Sequence, residues 1–315
     1  MSFSMEVKDE TARVLTQNDC CKIAETAAFF RAAGKLILGG NNLVGVSVVS
    51  GSASVVRRYY SLIKLLSNCE ADIVVSKSTR LKKNSRYELR VAPHPAVVQL
   101  LILLGMWKDN GYVVHDRTLK NFAKKSCCRK AILRGFFLGA GSLSSPKGDY
   151  HLEINLPSSE ANLVITRCLK TFAISAGIVE RKENLIMYIK EAEAIIDFLR
   201  IVGAHNSVLH YENARVIKDM RNRINREVNC ETANLQKTAR TAGRQIEKIH
   251  TIIALRGIDW LPAVLKATAE ARVNNPEASI GELVEIIADG TSKSGINHRL
   301  RRLEYLADEM TKEQT

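Results

Sequence analysis

The sequence predicts an α+β protein: a duplicated αββαββα domain with internal pseudo-twofold symmetry, then a helical linker and an all-α helix-turn-helix domain. Three observations carry this. The first is a repeat at an offset of 107 residues. Cys20-Cys21-Lys22-Ile23-Ala24 leads into Phe29-Phe30-Arg31-Ala32-Ala33-Gly34, and Cys127-Cys128-Arg129-Lys130-Ala131 leads into Phe136-Phe137-Leu138-Gly139-Ala140-Gly141. The same offset carries Ser52 onto Ser159, Val56 onto Leu163 and Leu62 onto Leu169. A solenoid unit runs ~20–50 residues, so this period describes a duplicated half-domain. The second observation is that each half mixes helical and alternating apolar periods. The third is a change of character beyond Asn206, into a long polar stretch without proline and then a compact, capped helical segment.

In the first half, Asp19 is placed to cap a helix from Cys20 to about Ala33, ended by Gly34. Leu36-Ile37-Leu38, the turn-rich Gly39-Gly40-Asn41-Asn42 and the alternating Leu43 to Val49 read as a hairpin. Ser52 or Ser54 opens a helix carrying Val55, Tyr59, Leu62, Ile63 and Leu66. Ile73-Val74-Val75 and Tyr87 to Val91 read as a second strand pair, followed by the apolar helix Ala96 to Leu104 and Gly105. The second half repeats the order: helix Cys128–Ala140, strand Tyr150–Leu156, helix Glu160–Ala176, strands at Ile178–Val179 and Leu185–Ile189, and helix Ala192–Val202. Gly203 falls where Gly105 did. The division is 1–205 for the duplicated domain (halves about 1–110 and 111–205), 206–256 for a basic, mostly helical linker, and 257–315 for the last domain.

Hydrophobic and charged shares of 46% and 25% are ordinary for a soluble globular chain, but a net charge of +13 is not. Such a surplus attracts polyanions, nucleic acid first and anionic membrane second; a basic surface kept for solubility is the plainer reading. No apolar run nears the ~18 residues of a membrane span, and no signal-like segment opens the chain, so a cytoplasmic, nucleoid-associated location is expected. The seven cysteines include two adjacent pairs and no Cys-x-x-Cys. They read as buried reduced thiols, with no metal site and no cofactor.

Small residues (Ala27, Ala28 and Gly34; Gly135, Gly139, Ala140 and Gly141) suit close packing of the two repeated helices at the pseudo-twofold axis. Lys77, Arg80, Lys82, Lys83, Arg86 and Arg90 surround an expected hairpin turn at Lys83-Asn84-Ser85. Such a ribbon sits on phosphates or is simply solvated. Along the linker, Arg221, Arg223, Arg226, Lys237, Arg240 and Arg244 are candidate phosphate contacts.

The last segment gives a helix from Pro262, as its first residue, to about Val273. A capping box at Ser279-Ile280-Gly281-Glu282 then opens a second helix. A third is capped by Ser292, with Ile296, Leu300, Leu303 and Ala307 on one buried face. The other face presents Ser294, Asn297, His298 and Arg301, flanked by Lys293, Arg299 and Arg302. A recognition helix offers its early residues to base edges, Asn pairing with adenine and Arg with guanine. Ordinary trihelical bundles share the outline.

The two repeated helices with their following strands resemble the LAGLIDADG homing-endonuclease fold. In that family an acid near the end of each motif helix holds the ions that activate water. The matching positions here are Ala33 and Ala140, and no Asp or Glu occurs from Thr26 to Cys69 or from Arg117 to Gly148. Only carboxylates both bind Mg²⁺ and offset its charge, so no nuclease activity is expected. With Asn222 to Arg226, Asn229-Cys230-Glu231-Thr232-Ala233-Asn234 and Ser292-Lys293-Ser294-Gly295-Ile296-Asn297-His298-Arg299-Leu300, the chain resembles the WhiA family over nearly its whole length. Lys35 is a minor departure from that pattern. The resemblance implies a non-catalytic DNA-binding regulator of sporulation, cell division and chromosome segregation. The expected partner is double-stranded DNA. The alternatives are a scaffold for RNA polymerase or division proteins with secondary DNA binding, and an active endonuclease. Internal symmetry would allow a monomer.

Overall fold

The computed structural model describes residues 2–40, 43–77, 85–108, 111–112, 117–181 and 184–313. They form two compact units, Met1–Lys218 and Asp219–Thr315. Among the described residues no helix is long and apolar enough to cross a membrane.

The first unit holds the duplication. After α1 (Phe3–Thr11) come α2 (Asp19–Ala33), β1 (Gly34–Leu38), β2 (Val44–Ser50), α3 (Ala53–Ser67), β3 (Asp72–Lys77), β4 (Ser85–Val91) and α4 (Pro95–Leu103). A short hairpin of β5 (Trp107–Lys108) and β6 (Gly111–Tyr112) and the helix α5 (Arg117–Phe122) join the halves. The second half is α6 (Ser126–Ala140), β7 (Gly141–Leu143), β8 (Leu152–Leu156), α7 (Ser159–Lys170), β9 (Gly177–Arg181), β10 (Asn184–Ile189) and α8 (Ala192–Val202). The two antiparallel sheets have the same order, β1-β2-β4-β3 and β7-β8-β10-β9. Registers correspond too: Gly34 opposes Val48, which opposes Leu89, and Gly141 opposes Ile154, which opposes Met187.

That correspondence corrects the constant offset. Gly34 and Gly141 are 107 apart, but Val48 and Ile154 are 106 apart, so one residue is lost between the first strands. The cap of α3 is Ser52, whose hydroxyl accepts from the Val55 amide; its counterpart is Ser158, which accepts from Ala161, not Ser159. Leu163 therefore does not stand for the buried Val56 and is 60% exposed. Three further readings change. Asn18, not Asp19, precedes α2, and the Asp19 carboxylate takes Lys22 Nζ at 2.8 Å. The helix expected to reach Ala176 stops at Lys170, because Ala173 turns left-handed (φ 57°) and tucks Ile174 into the core. Ser85 already belongs to β4, paired with Lys77, and the connection through Lys82 and Lys83 lies outside the described residues.

The repeated helices α2 and α6 pack along each other, as the small residues predict. A Cβ on Gly135 would lie 2.4 Å from the Glu25 carbonyl and 2.9 Å from Ala28 Cβ, and one on Gly139 would lie 2.8 Å from Ala32 Cβ. Gly34 and Gly141 do not take part; each sits in extended backbone against the phenylalanine four residues before it. Gly105 and Gly203 do need positive φ (69° and 90°). Each ends a helix with the next amide reaching back five residues, Met106 to Leu101 at 2.8 Å and Ala204 to Leu199 at 2.9 Å.

Beside the axis lies a buried ionic cluster. The fully buried Glu25 carboxylate accepts from Arg58 Nε at 2.5 Å and Nη2 at 2.8 Å, and from Arg134 Nη1 of the other half at 3.2 Å. Burial, and next the Glu25 charge, push the neighbouring Tyr59 hydroxyl well above its ordinary range.

The helix α9 (His205–Arg256) is continuous over 52 residues, starting in the first unit and ending in the second. Glu10 caps its start, accepting from the Asn206 amide at 2.6 Å and the Ser207 amide at 3.0 Å. In the second unit it is followed by a 3-10 turn (Ile258–Trp260), α10 (Ala263–Asn274), α11 (Ile280–Ile287) and α12 (Lys293–Lys312). Pro262 stands just before α10 rather than as its first residue. The core of this unit joins Leu261, Ala269, Leu283, Ile296, Leu300 and Leu303 to Ile249 and Ile252 of α9.

Candidate nucleic-acid interface

The second unit's helices are shaped by caps visible in the chain. Ser279 and Glu282 form a reciprocal capping box at the start of α11, the Glu282 amide donating to Ser279 Oγ at 3.3 Å and the Ser279 amide to Glu282 Oε2 at 2.6 Å. The turn to α12 passes through Ala288 (φ 50°) and Gly290 (φ 79°). Asp289 organises it: Oδ1 accepts the Thr291 amide at 3.0 Å and Oδ2 accepts Arg299 Nη1 at 2.5 Å. Those two partners, Thr291 first and then Arg299, hold its carboxyl down at about 2. Ser292 then caps α12 through the Gly295 amide at 3.3 Å.

One face of α12 is closed: Ile296, Leu300, Leu303 and Ala307 are all buried. Of the residues on the other side, Ser292, Lys293, Ser294, His298, Arg301 and Arg302 are exposed and Asn297 is half-buried. They are not equivalent. Arg302 lies 5.1 Å from the Tyr305 ring centre. Arg299 is engaged by Asp289 and Thr291, with a side chain only 17% exposed, so it positions the turn before it can meet anything else. Lys293, Asn297 and Arg301 make no hydrogen bond or ion pair among the described residues and lie on the first three turns, the part a recognition helix offers to bases.

The six candidate phosphate contacts of α9 all project into solvent, but Arg223 pairs with Glu227 at 3.3 Å and Arg244 with Glu304 of α12 at 3.1 Å. Lys248 pairs likewise with Asp308 at 2.5 Å, so the end of α9 is tied to α12 by two ion pairs. At 100° per residue, Arg223, Arg226, Lys237, Arg240 and Arg244 fall within roughly 100° of arc, and Arg221 lies outside it. Lys237 and Lys293 share a cleft of ≈ 250 Å³ with Gln245 and Arg272, whose Oε1 and Nε are buried without a hydrogen-bond partner among the described residues. The linker and the start of α12 thus present positive charge at one place.

The first unit contributes less. Arg86 and Arg90 are exposed on β4, but Glu88 lies between them on the same strand face and Asp72 is directly across from Arg90. At the axis, Ala33 and Ala140 end α2 and α6 as methyl groups. Sequence reasoning missed the Asp289–Arg299 clamp; an acid in a Gly-containing turn, ten residues before an Arg, was its only trace. It also missed the meeting of the two cysteine pairs, although the repeat itself places them as equivalents.

Comparison with known proteins agrees with this geometry. The WhiA N-terminal LAGLIDADG-like domain family matches residues 19–107, the WhiA LAGLIDADG-like domain family residues 129–221 and the WhiA C-terminal HTH domain family residues 224–307. A protein of Desulfitobacterium hafniense (strain Y51) named "Probable cell division protein WhiA" is 42% identical over 311 residues, covering 98% of this chain and 96% of that one. One of Alkaliphilus metalliredigens (strain QYMF) with the same name is 40% identical over 310 residues, covering 98% of each. The crystal structure of full-length DUF199/WhiA from Thermatoga maritima is similar over 98% of this chain and 99% of that one, with a TM-score of 0.58 at 26% identity. Matches to all three domain families in order, and relatives this similar along their whole length, make this chain a member of the WhiA family.

Proposed function

We propose that this protein is a non-catalytic, sequence-selective double-stranded DNA-binding regulator acting on the nucleoid in transcription, cell division and chromosome segregation. The observation that carries the reading is α12: a capped helix buried on one face, with Lys293, Asn297 and Arg301 on its first three turns making no hydrogen bond or ion pair among the described residues. Ser294, His298 and Arg302 complete the reading surface, Arg299 fixes its angle, and the basic arc of residues 206–256 holds phosphates. The free α9 cations give the affinity its salt dependence, and the α12 side chains give it sequence preference. The names of the relatives point to division, and that role is carried over to this chain as part of the proposal. The tips of α2 and α6 lack carboxylates, so the first unit serves as frame rather than cutter. A polymerase subunit or division protein is the partner class that such a frame would meet beside DNA.

The test is genome-wide mapping of the sites occupied by the full chain, followed by titration of a recovered duplex and its scrambled version at fixed salt. The recovered duplex should bind at least ~10³-fold more tightly. Equal affinity for the two duplexes refutes the reading. Metal-dependent nicking of supercoiled plasmid refutes its non-catalytic part.

A further inference from the structure

The two cysteine pairs of the repeat meet at one end of the duplication axis. Cys20 and Cys21 lie in the first turn of α2, Cys127 and Cys128 in the first turn of α6. Each pair is 4.0 Å apart at sulfur, and all four sulfurs lie within 4.8 Å of one another. We infer that these four thiols form a tetrahedral Zn(II)–tetrathiolate site that staples the two halves of the duplicated domain together.

The distances suit one ion. Zn–S bonds of ~2.3 Å arranged tetrahedrally put the sulfurs ~3.8 Å apart, so the longest separation closes by about 1 Å. Two disulfides would instead need two separations of ~2.05 Å and leave the pairs apart. All-sulfur tetrahedral donors select soft d¹⁰ zinc over hard Mg²⁺ or Ca²⁺. Binding follows Zn²⁺ + 4 RSH → [Zn(SR)₄]²⁻ + 4 H⁺, and the complex carries two negative charges. The site is built to receive them. The first-turn amides of two helices converge there, with the positive ends of both dipoles. The adjoining sequence supplies Lys125, Arg129 and Lys130, while the charge of Lys22 is taken up by Asp19. Cys21 and Cys128 are buried, Cys20 is half-buried and Cys127 is exposed, which closes the coordination sphere but leaves an entry. Four protein ligands leave no open position; the site is structural, and it lies at the opposite end of the helices from Ala33 and Ala140.

The test uses the full chain, reduced and metal-free, titrated with Co(II) and then Zn(II). One equivalent of Co(II) should give the visible bands of a tetrahedral cobalt thiolate, and one equivalent of Zn(II) should abolish them. Cys20→Ser and Cys127→Ser should each weaken binding by more than the ~10–100-fold that loss of an outer-shell partner costs. Cys168→Ser and Cys230→Ser should change nothing. A second measurement needs no variant. Cys127 and Cys230 are both exposed, so both alkylate readily in the metal-free chain. Zn(II) should protect Cys127 and leave Cys230 reactive. No stoichiometric uptake, an octahedral cobalt spectrum, a disulfide among the four in the reduced chain, or equal alkylation of Cys127 with and without Zn(II) overturns the inference.

Discussion

Replacing Asn297 and Arg301 together by alanine separates reading from folding. Both lie on the open side of α12, while the residues that anchor it, Ile296, Leu300 and Leu303, are at most 1% exposed. No intramolecular hydrogen bond or ion pair is lost among the described residues, and alanine is the better helix former by up to ~0.7 kcal/mol at Asn. The second unit should therefore keep or slightly raise its thermal midpoint. A bidentate base contact is worth ~1–3 kcal/mol, so each change should weaken binding to the native site by roughly 5–150-fold. The two residues are one helical turn apart and read neighbouring bases, so the sum, ~2–6 kcal/mol, need not be strictly additive. That sum reaches only the lower part of the ~4–10 kcal/mol separating specific from non-specific binding, so the double variant should move toward the affinity for scrambled duplex without falling below it. Fluorescence anisotropy on matched and scrambled duplexes at one salt concentration measures both. A double variant within twofold of the parent on the native duplex would falsify the placement of α12 as the reading helix.

Other outcomes follow from the same coordinates. Arg226→Ala, Lys237→Ala and Arg240→Ala should each lower the log–log salt slope by about 0.9 while leaving sequence preference intact; an unchanged slope removes α9 from the interface. Glu25→Ala leaves Arg58 and Arg134 buried without their shared counter-ion and should cost ~3–5 kcal/mol in urea unfolding. Replacing all three by apolar residues should recover most of that loss, and a cost below ~1 kcal/mol for Glu25→Ala would show the cluster to be inert. Lys8, largely buried and 5.9 Å from the Phe137 ring centre, has its ammonium pulled down to about 8 by that burial. The unfolded chain holds this proton more tightly, so the cost is full below pH 8 and fades as pH rises towards 10.5. Lys8→Met should thus stabilise the first unit at pH 7 by about 1–3 kcal/mol, and by much less at pH 10. A gain equal at both values contradicts the assigned cause.

How much of this was legible depends on whether the signal was local. Most caps were: Ser52 (of the pair Ser52 or Ser54), Ser279 with Glu282, and Ser292 act within three residues and hold, while Asp19 gave way to Asn18. So was helix packing at Gly135 and Gly139, because only a missing Cβ lets α2 approach so closely. That the two sheets share one strand order follows from the duplication. What failed was fixed by partners distant in sequence. The one-residue slip between the halves is set by strand register, which no matched pair of letters reveals. Three-residue β7 is too short for an alternating pattern and owes its strand to pairing with β8. Arg299 looked like any basic residue of a recognition helix, because its fate is decided by an acid ten residues back. The Cys pairs lacked the spacing of a metal motif, since their second ligand pair arrives from another helix.

The axis of the duplicated unit therefore divides into three levels with different chemistry. Its helix starts bring four sulfurs together, its side carries Glu25 between two guanidinium groups from opposite halves, and its helix ends carry two methyl groups. The first two levels tie one half to the other; the third is where a cutting enzyme would need carboxylates. The exposed β4 arginines are offset by Glu88 and Asp72. The second unit is the reverse case. Its helix caps consume acids such as Asp289 and Glu282 internally, while Lys293, Arg301, Lys237 and Arg240 have no carboxylate partner among the described residues. A polyanion approaching the chain gains most from charges that no carboxylate already holds. That asymmetry, more than the total of +13, is the physical reason for placing DNA on the second unit and for giving the first the task of holding itself together.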